Sequence, residues 1–259
     1  MIATWWGASH ILIADGSLLW MAARDSLREI LLWDYDTKTT ALRAHAETRC
    51  IAAGHEDGKV TLTVLGVAHT FDTLRWDVIG LDWGENDEVY ALDFLGNVSI
   101  QNLHQQQSIS VLQTTYNMGN HLGTDICTRP GHACTFVANK GRSYVFDTRA
   151  QGIVSEFGSN HRNAAWSNID NNLVWQTRKG RIELWDMRNL CKSVQQSAET
   201  RFTSIDVVGY DRLVSTVLDG TLCIDGEQVA ILEPGQQKVQ WCPDESSILC
   251  CNGNEYVLI

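Results

Sequence analysis

The stretch that decides the fold is Leu173-Val-Trp-Gln-Thr-Arg-Lys-Gly-Arg-Ile-Glu-Leu-Trp185-Asp186. Two short segments with alternating apolar residues flank the dipeptide Lys179-Gly180. Alternation with period two is typical of a β-strand, and a short turn that contains glycine is the usual connection in a β-hairpin. The stretch therefore predicts two antiparallel strands joined by a tight turn.

The same outline recurs along the chain. Six copies have a turn glycine, and these glycines are separated by 38, 45, 39, 40 and 33 residues: Gly58, Gly96, Gly141, Gly180, Gly220 and Gly253. A seventh copy, Leu18–Asp34, opens the chain and lacks the glycine. Another short apolar segment precedes several copies, as Val78–Trp83 does. Three or four short antiparallel strands in each repeat of about 40 residues are typical of a β-propeller blade.

The repeats resemble those of the WD-repeat family. The resemblance rests on two strong dipeptides, one weaker copy and two turns: Trp33-Asp34, Trp185-Asp186, Phe146-Asp147, Asp57-Gly58 and Asp219-Gly220. It implies an all-β fold in which residues 1–259 form a single seven-bladed propeller, with six blades as the alternative. It also implies a role in binding other proteins, since most members of the family are non-enzymatic scaffolds.

The two ends of the chain predict how the ring closes. Ile2–Trp6 alternates but has no repeat before it, and Tyr256–Ile259 ends the last repeat without a fourth strand. Pairing of these two strands would complete the last blade and cover two sheet edges. For Ser17–Trp33 an amphipathic helix is the alternative, because several apolar residues fall near helical spacing. The terminal Trp-Asp dipeptide favours strands there.

The charge of the chain is unevenly distributed. Of the 259 residues 44% are hydrophobic and 20% are charged, and the net charge is −11, which argues against nonspecific binding to nucleic acid or anionic membranes. Residues 139–201 hold ten basic and six acidic side chains, whereas Asp72–Asp93 holds seven acids and one arginine. We therefore expect an electrostatic polarity across the molecule. Ile11–Ala23 is too short to span a membrane, and no basic segment precedes it, so a secretory signal is not expected.

No sequence motif indicates a catalytic, metal-binding or cofactor-binding site. Eight cysteines without a CxxC pair predict buried, reduced thiols in an intracellular protein, either cytoplasmic or nuclear. Four potential metal ligands cluster at His121, Cys127, His132 and Cys134, but their spacing fits no zinc module. GxSxG, phosphate-loop and HExxH motifs are absent from the sequence. The sequence thus predicts no enzymatic activity, no metal, no cofactor and no small-molecule substrate.

Candidate partner-binding residues come from the basic segment, one tryptophan and one long loop. The basic ones are Arg162, Arg178, Lys179, Arg181 and Arg188. We expect Arg178 and Lys179 to be exposed together in a hairpin turn. Trp76, beside acidic residues, is expected at the surface, where tryptophan often anchors interfaces. Tyr116 lies in a segment, residues 116–124, that is long enough to protrude as a loop.

Three functions follow from these features. The first is a subunit of an intracellular multiprotein complex, with protein partners and no membrane. The second is a substrate receptor of a cullin-type ubiquitin ligase, because Trp185-Asp-Met-Arg188 matches the WDxR core of the family's adaptor-binding box, although Lys179 stands where that box has an acid. The third is a subunit of an RNA-associated complex that uses the basic residues between 139 and 201. No aromatic RNA-binding motif accompanies them, so direct nucleic-acid binding is not expected.

Overall fold

In the computed structural model the described residues form seven successive antiparallel sheets around a central channel. The structure describes all residues except 27, 46–47, 49, 65, 73, 85–86, 103–106, 113–122, 130–133, 140–141, 148, 151, 158–160, 171, 190–192, 198, 236–237 and 253–254. For residues 107–112, 123–124, 134–139, 152, 157 and 161–162 it describes the backbone only. None of the described residues forms a helix long and apolar enough to cross a membrane.

Each sheet is built from consecutive strands. The first blade contains β1 (Ile2–Trp6), β2 (His10–Asp15), β3 (Leu18–Ala23) and β4 (Glu29–Asp34), and the second contains β5 (Thr39–Ala44), β6 (Ile51–His55), β7 (Lys59–Val64) and β8 (Val67–Asp72). The third contains β9 (Val78–Trp83), β10 (Glu88–Asp93), β11 (Val98–Asn102) and β12 (Gln107–Leu112), and the fourth contains β13 (Gly123–Thr128), β14 (Cys134–Asn139), β15 (Ser143–Asp147) and β16 (Gly152–Phe157).

The remaining strands follow the same order. The fifth blade contains β17 (His161–Trp166), β18 (Leu173–Arg178), β19 (Arg181–Asp186) and β20 (Gln195–Gln196), and the sixth contains β21 (Phe202–Val208), β22 (Arg212–Val217), β23 (Thr221–Ile224) and β24 (Glu227–Ile231). The last sheet contains β25 (Lys238–Trp241), β26 (Ile248–Cys251) and β27 (Tyr256–Leu258). The predicted all-β propeller is confirmed, and in the described part of the chain it has six complete four-stranded blades and a last sheet of three strands.

The first strand of every sheet lines the channel, and the later strands lie progressively farther out. Apolar side chains pack between neighbouring sheets, so the core is divided into a series of clusters between blades. One such cluster joins Leu12 and Leu19 of the first blade to Leu42 and Ile51 of the second. Degenerate repeats can therefore build a stable ring, because burial between neighbours depends on apolar character and shape more than on a fixed motif.

The predicted closure of the ring is wrong. β1 is the innermost strand of the first blade and pairs with β2, and β27 pairs with β26. The ring closes instead where the first blade packs against the last sheet, in a cluster that includes Trp5, Ile11 and Leu249. The side-chain Oε1 of Gln240 accepts hydrogen bonds from Thr4 Oγ1 at 3.1 Å and from the Trp5 backbone N–H at 3.3 Å.

The first repeat begins one strand earlier than its sequence indicates. The hairpin Leu18–Asp34 does form, as β3 and β4, and the alternative helix does not. However, β3 and β4 are the third and fourth strands, whereas Trp185-Asp186 ends a third strand. The equivalent turn is Asp15-Gly16, between β2 and β3, and Gly16 has the positive φ of 62° that favours glycine. This shift explains why the copy around Gly58 follows Leu18–Asp34 so closely in sequence.

Candidate functional site

Topology separates the loops into two faces of the ring. In a four-stranded meander, the turn between the second and third strands lies at the same end as the connection to the next blade. We call this end the turn face; it includes residues 16–17, 35–38, 56–58, 74–77, 94–97, 179–180 and 199–201. Backbone hydrogen bonds tie these segments together, as from Glu56 N to Lys38 O and from Leu74 N to Gly58 O.

An exposed cluster, which we call the apolar patch, lies on the turn face of the third blade. It consists of Trp76, Phe94 and Leu95, whose exposed fractions are 50%, 44% and 44%. The backbone N–H of Phe94 donates to the carbonyl of Asp77 at 2.9 Å, so the β8–β9 loop and the β10–β11 turn are adjacent. Only Trp76 was singled out in the sequence. The signal for the other two is an apolar pair inside a tight turn, where polar residues are usual.

Asp93 fixes the conformation of that turn. Its buried carboxylate accepts hydrogen bonds from the backbone N–H of Leu95 at 3.0 Å, and from the backbone N–H and side-chain amide of Asn97, both at 2.7 Å. Burial raises the pKa of Asp93, and these hydrogen bonds act in the opposite direction. Phe94 and Leu95 therefore project from a turn that is ordered before any partner binds.

Acidic side chains accompany the apolar patch. Asp72 and Asp77 are exposed at the two ends of the β8–β9 loop, and Arg75 is exposed between them. Glu56 is exposed on the neighbouring turn, which contacts the same loop through Gly58. A Cβ at Gly58 would collide with the backbone of Leu74, and its φ is 82°, so only glycine allows this close approach.

Basic residues lie on the same face at the fifth blade, where the sequence placed them. Lys179 is in the β18–β19 turn and Arg201 is just before β21, and both are exposed. Gly180 lies directly against the backbone around Arg201. Its carbonyl accepts hydrogen bonds from Thr200 N and Phe202 N, and a Cβ at Gly180 would lie 3.0 Å from Arg201 Cα. We call Lys179 and Arg201 the cation pair; Arg201 was not among the sequence candidates.

The other predicted basic residues are less available for contact with a partner, because they are ion-paired or lie outside the described part of the chain. Contrary to the prediction, Arg178 does not lie exposed in the turn with Lys179. It ends β18, and its guanidinium lies 3.7 Å from the buried carboxylate of Glu183. Arg181 pairs with Glu199 at 3.2 Å. The backbone of Arg162 lies near the turn-face end of β17, and its side chain is outside the described part. Tyr116 and its loop also lie outside the described residues.

Arg188 lies at the opposite end of the ring, in the turn after β19. Its guanidinium makes two hydrogen bonds with Asp186, at 2.9 and 2.8 Å. Arg149 binds Asp147 in the same way, at 3.1 and 2.8 Å. The side-chain hydrogen bond from Arg149 is the main reason that the pKa of Asp147 falls to about 2. The x-Asp-x-Arg turn is thus a local feature of two neighbouring blades.

Charged residues also line the channel. Arg43 projects from β5, and its Nε lies 3.4 Å from a carboxylate oxygen of Asp82. Burial acts to lower the pKa of Arg43, but Asp82, Asp206 and Asp125 outweigh it and raise the pKa above its usual value. Burial raises the pKa of Asp206 to about 6 and also raises that of Asp125. The channel cavity of about 110 Å³ is much smaller than typical ligand pockets of roughly 300–1,000 Å³.

The candidate metal ligands and a second cavity complete the description of the site. Among the described residues, no group of three or more His, Cys, Asp or Glu side chains is placed to hold a metal ion. His121 and His132 of the candidate metal cluster lie outside the described residues. A second cavity of about 230 Å³, between Tyr35 and His55, lies on the turn face near the first and second blades. Burial lowers the pKa of His55, which contacts Thr61 Oγ1 at 2.9 Å.

Comparison with solved structures identifies the fold. A chain of the mitotic checkpoint complex superposes with a TM-score of 0.85 at 14% identity, covering 98% of this chain and 84% of that one. The WD40 β-propeller domain of Doa1 gives 0.80 at 13% identity, covering 97% and 88%. The WD40 repeats of RRP9 give 0.77 at 11% identity, covering 95% and 84%. Neither family models nor curated proteins match the chain in sequence. The chain has the fold of WD40 β-propellers.

Proposed function

We propose that this protein is a non-enzymatic scaffold, a subunit of a multiprotein complex that binds a protein partner through the turn face. The observation that carries the proposal is the apolar patch of Trp76, Phe94 and Leu95. Exposed apolar side chains grouped on one surface are typical of interaction sites, and tryptophan is enriched at binding hot spots. One of the structurally similar chains belongs to a multiprotein assembly, the mitotic checkpoint complex.

A preordered turn supports this role in a second way. The hydrogen bonds of Asp93 hold the Phe94–Leu95 turn, and buried Leu74 anchors the loop that carries Trp76. Side chains that are already positioned lose less conformational entropy when a partner binds. For the same buried area, the apolar patch therefore contributes more binding free energy than a flexible loop of the same composition.

The cation pair supplies a second contact on the same face. Lys179 and Arg201 have no ion-pair partner among the described residues, in contrast to Arg181 and Arg188. Exposed charges at an interface mainly guide association and select against like-charged partners. We propose that the partner places acidic residues opposite Lys179 and Arg201 while it covers the apolar patch.

The ligase and RNA hypotheses remain as alternatives with direct tests. Because Asp186 binds the guanidinium of Arg188, an adaptor would have to recognise the pair or displace it. Unchanged adaptor binding by Arg188→Ala would eliminate the ligase hypothesis. Phosphate contacts weaken steeply with salt, so filter binding to RNA at two salt concentrations would test the other. The six described free cysteines are buried, which is compatible with the proposed intracellular location.

The experiment compares native complexes of three proteins expressed at equal levels: wild type, Trp76→Ser/Phe94→Ser, and Tyr210→Ser. Tyr210 is a suitable control, since it is an aromatic residue with 92% exposure in the β21–β22 turn on the opposite face. We expect the double variant to migrate as a monomer while Tyr210→Ser keeps the complex. Equal complex formation by all three proteins, with unchanged melting temperatures, would show that the apolar patch does not bind the partner.

A further inference from the structure

The outer edge of the last sheet differs from that of the other sheets. A fourth strand follows the third in the six complete blades, whereas β27 is the outermost strand of its sheet in the described chain. The third strands β7, β11, β15 and β19 are almost entirely buried. In β27, by contrast, Val257 is 40% exposed and the adjoining Ile259 is 42% exposed. The last sheet thus offers a position for one more strand.

The hydrogen-bond register shows which groups face that position. Ile248 and Ile259 exchange both backbone hydrogen bonds, from Ile248 N to Ile259 O at 2.8 Å and from Ile259 N to Ile248 O at 3.0 Å. In an antiparallel ladder such pairs alternate, so Val257 also directs its N–H and C=O inward, toward Cys250. Tyr256 and Leu258 therefore direct their N–H and C=O groups outward, where an added strand could pair with them.

The first blade forms one wall of this position. The Tyr256 hydroxyl donates to Glu29 Oε1 at 3.1 Å, which places β4 beside β27. Leu31 of β4 is 47% exposed and pairs with Trp20, whose side chain packs on the cluster between the first blade and the last sheet. Leu31 therefore faces the same inter-blade space as Tyr256 and remains exposed where a fourth strand would cover it.

We propose that the outer edge of β27 binds an extended segment of a protein partner as the fourth strand of the last sheet. Backbone pairing with Tyr256 and Leu258 would provide affinity, and the side chains would provide selectivity. Segment residues opposite Tyr256 and Leu258 face Leu31, and the residue between them lies beside Val257. The segment should therefore contain three consecutive β-branched or other apolar residues, without proline. This site is independent of the apolar patch.

A tethered strand tests whether the edge accepts such a segment. The probe is Asn-Gly-Thr-Val-Ile-Val-Thr joined directly to Leu258 in place of Ile259, because Leu258 directs its N–H and C=O outward and can form the hydrogen-bonded pair beside a two-residue Asn-Gly turn. In this register the central isoleucine of the probe pairs with Tyr256, and the tether raises the effective concentration of the added strand. We expect amide exchange at Tyr256 and Leu258 to slow at least tenfold. The matched control replaces the central isoleucine of the probe by proline and should show no protection. Equal exchange in both fusions would overturn the proposal.

A cross-linking experiment tests the native occupant. A photoreactive amino acid replaces Val257 in one protein and Tyr210 in the control, and both are irradiated in cells of the source organism. We expect cross-links specific to position 257 that map to an extended apolar segment of another protein, and the lysine variant Val257→Lys should abolish that association. Cross-links to a helical segment, cross-links to this chain itself, either within one molecule or to a second copy, or none above the control would overturn the proposal. Trp76→Ser should leave the cross-link unchanged, which separates this site from the apolar patch.

Discussion

Replacing Gln240 by alanine tests how the ring is closed. The side chain of Gln240 accepts hydrogen bonds from Thr4 Oγ1 and from Trp5 N, and its carbonyl accepts one from Trp5 Nε1 at 3.3 Å. The substitution removes the first two interactions and keeps the third, because that one uses the backbone. It therefore removes two hydrogen bonds of the closing interface without removing a strand.

The magnitude follows from the burial of the donors. Thr4 and Trp5 are 2% and 4% exposed, so their N–H and O–H groups cannot simply turn to solvent. A buried donor left without an acceptor costs about 1–3 kcal/mol. We expect Gln240→Ala to lower the free energy of unfolding by about 2 kcal/mol, or the melting temperature by roughly 4–8 °C for a chain of this size.

Urea unfolding and amide exchange together provide the assay. The control is Gln228→Ala, an exposed residue of β24, which should change the free energy of unfolding by less than about 0.5 kcal/mol. Exchange of the Trp5 amide should accelerate in Gln240→Ala and not in the control. If the two variants are equally stable and their Trp5 amides exchange alike, closure does not depend on Gln240 and the reasoning fails.

Three further predictions concern charged residues. Burial raises the pKa of Asp206 to about 6 in the folded state, so the folded protein binds an extra proton below that pH and its free energy of unfolding falls as pH rises from about 4 to about 6. Asp206→Asn keeps an acceptor for Trp241 N but cannot ionise. In urea unfolding, the free energy of unfolding of this variant relative to wild type should therefore rise by up to about 3 kcal/mol across this window. Asp93→Ala should lower the melting temperature and partner affinity together, because the turn loses its acceptor, whereas Asp93→Asn should retain most of both in calorimetry and binding assays. Reversing the charges of Lys179 and Arg201 to glutamate should slow association several-fold and flatten its salt dependence in stopped-flow experiments, with an unchanged melting temperature; an unchanged association rate would place the partner elsewhere.

Part of this architecture was predictable because strands and turns are local. The spacing of turn glycines and the alternation around Lys179-Gly180 identify hairpins, since both features depend on neighbouring residues. The first repeat was misassigned because Trp33-Asp34 imitates Trp185-Asp186 in sequence, although it ends a fourth strand. Asp15-Gly16 lies 42 residues before Gly58 and would have given the correct alignment. A dipeptide alone does not report which strand of a blade carries it.

The functional surface was harder to predict because it combines residues from different loops. Trp76 and Phe94 are 18 positions apart in sequence, and their adjacency depends on the hydrogen bond from Phe94 N to Asp77 O. Similarly, Lys179 and Arg201 meet only because Gly180 contacts the loop before β21. Charge counts indicated a basic segment, but ion pairs such as Arg181–Glu199 neutralise several of its basic side chains.

A pattern among the innermost strands explains how the ring holds together although its repeats are degenerate. Asp82 accepts a hydrogen bond from Thr128 N at 2.7 Å, Asp125 from Ala164 N at 3.1 Å, and Asp206 from Trp241 N at 2.8 Å. In each case a carboxylate on one blade binds the backbone of the next. Three carboxylates around one channel repel each other, and the cation of Arg43 offsets part of that repulsion.

Gln240 performs the same function at the closing interface without adding a charge, because its amide oxygen accepts from Trp5 N. A fourth carboxylate there would increase the repulsion in the channel, where burial already opposes ionisation of Asp125 and Asp206. The neutral residue therefore keeps the hydrogen bond and avoids that cost. The inner hydrogen bonds and the clusters between blades hold the ring closed, so the proposed binding of a strand at the outer edge of β27 does not compete with closure.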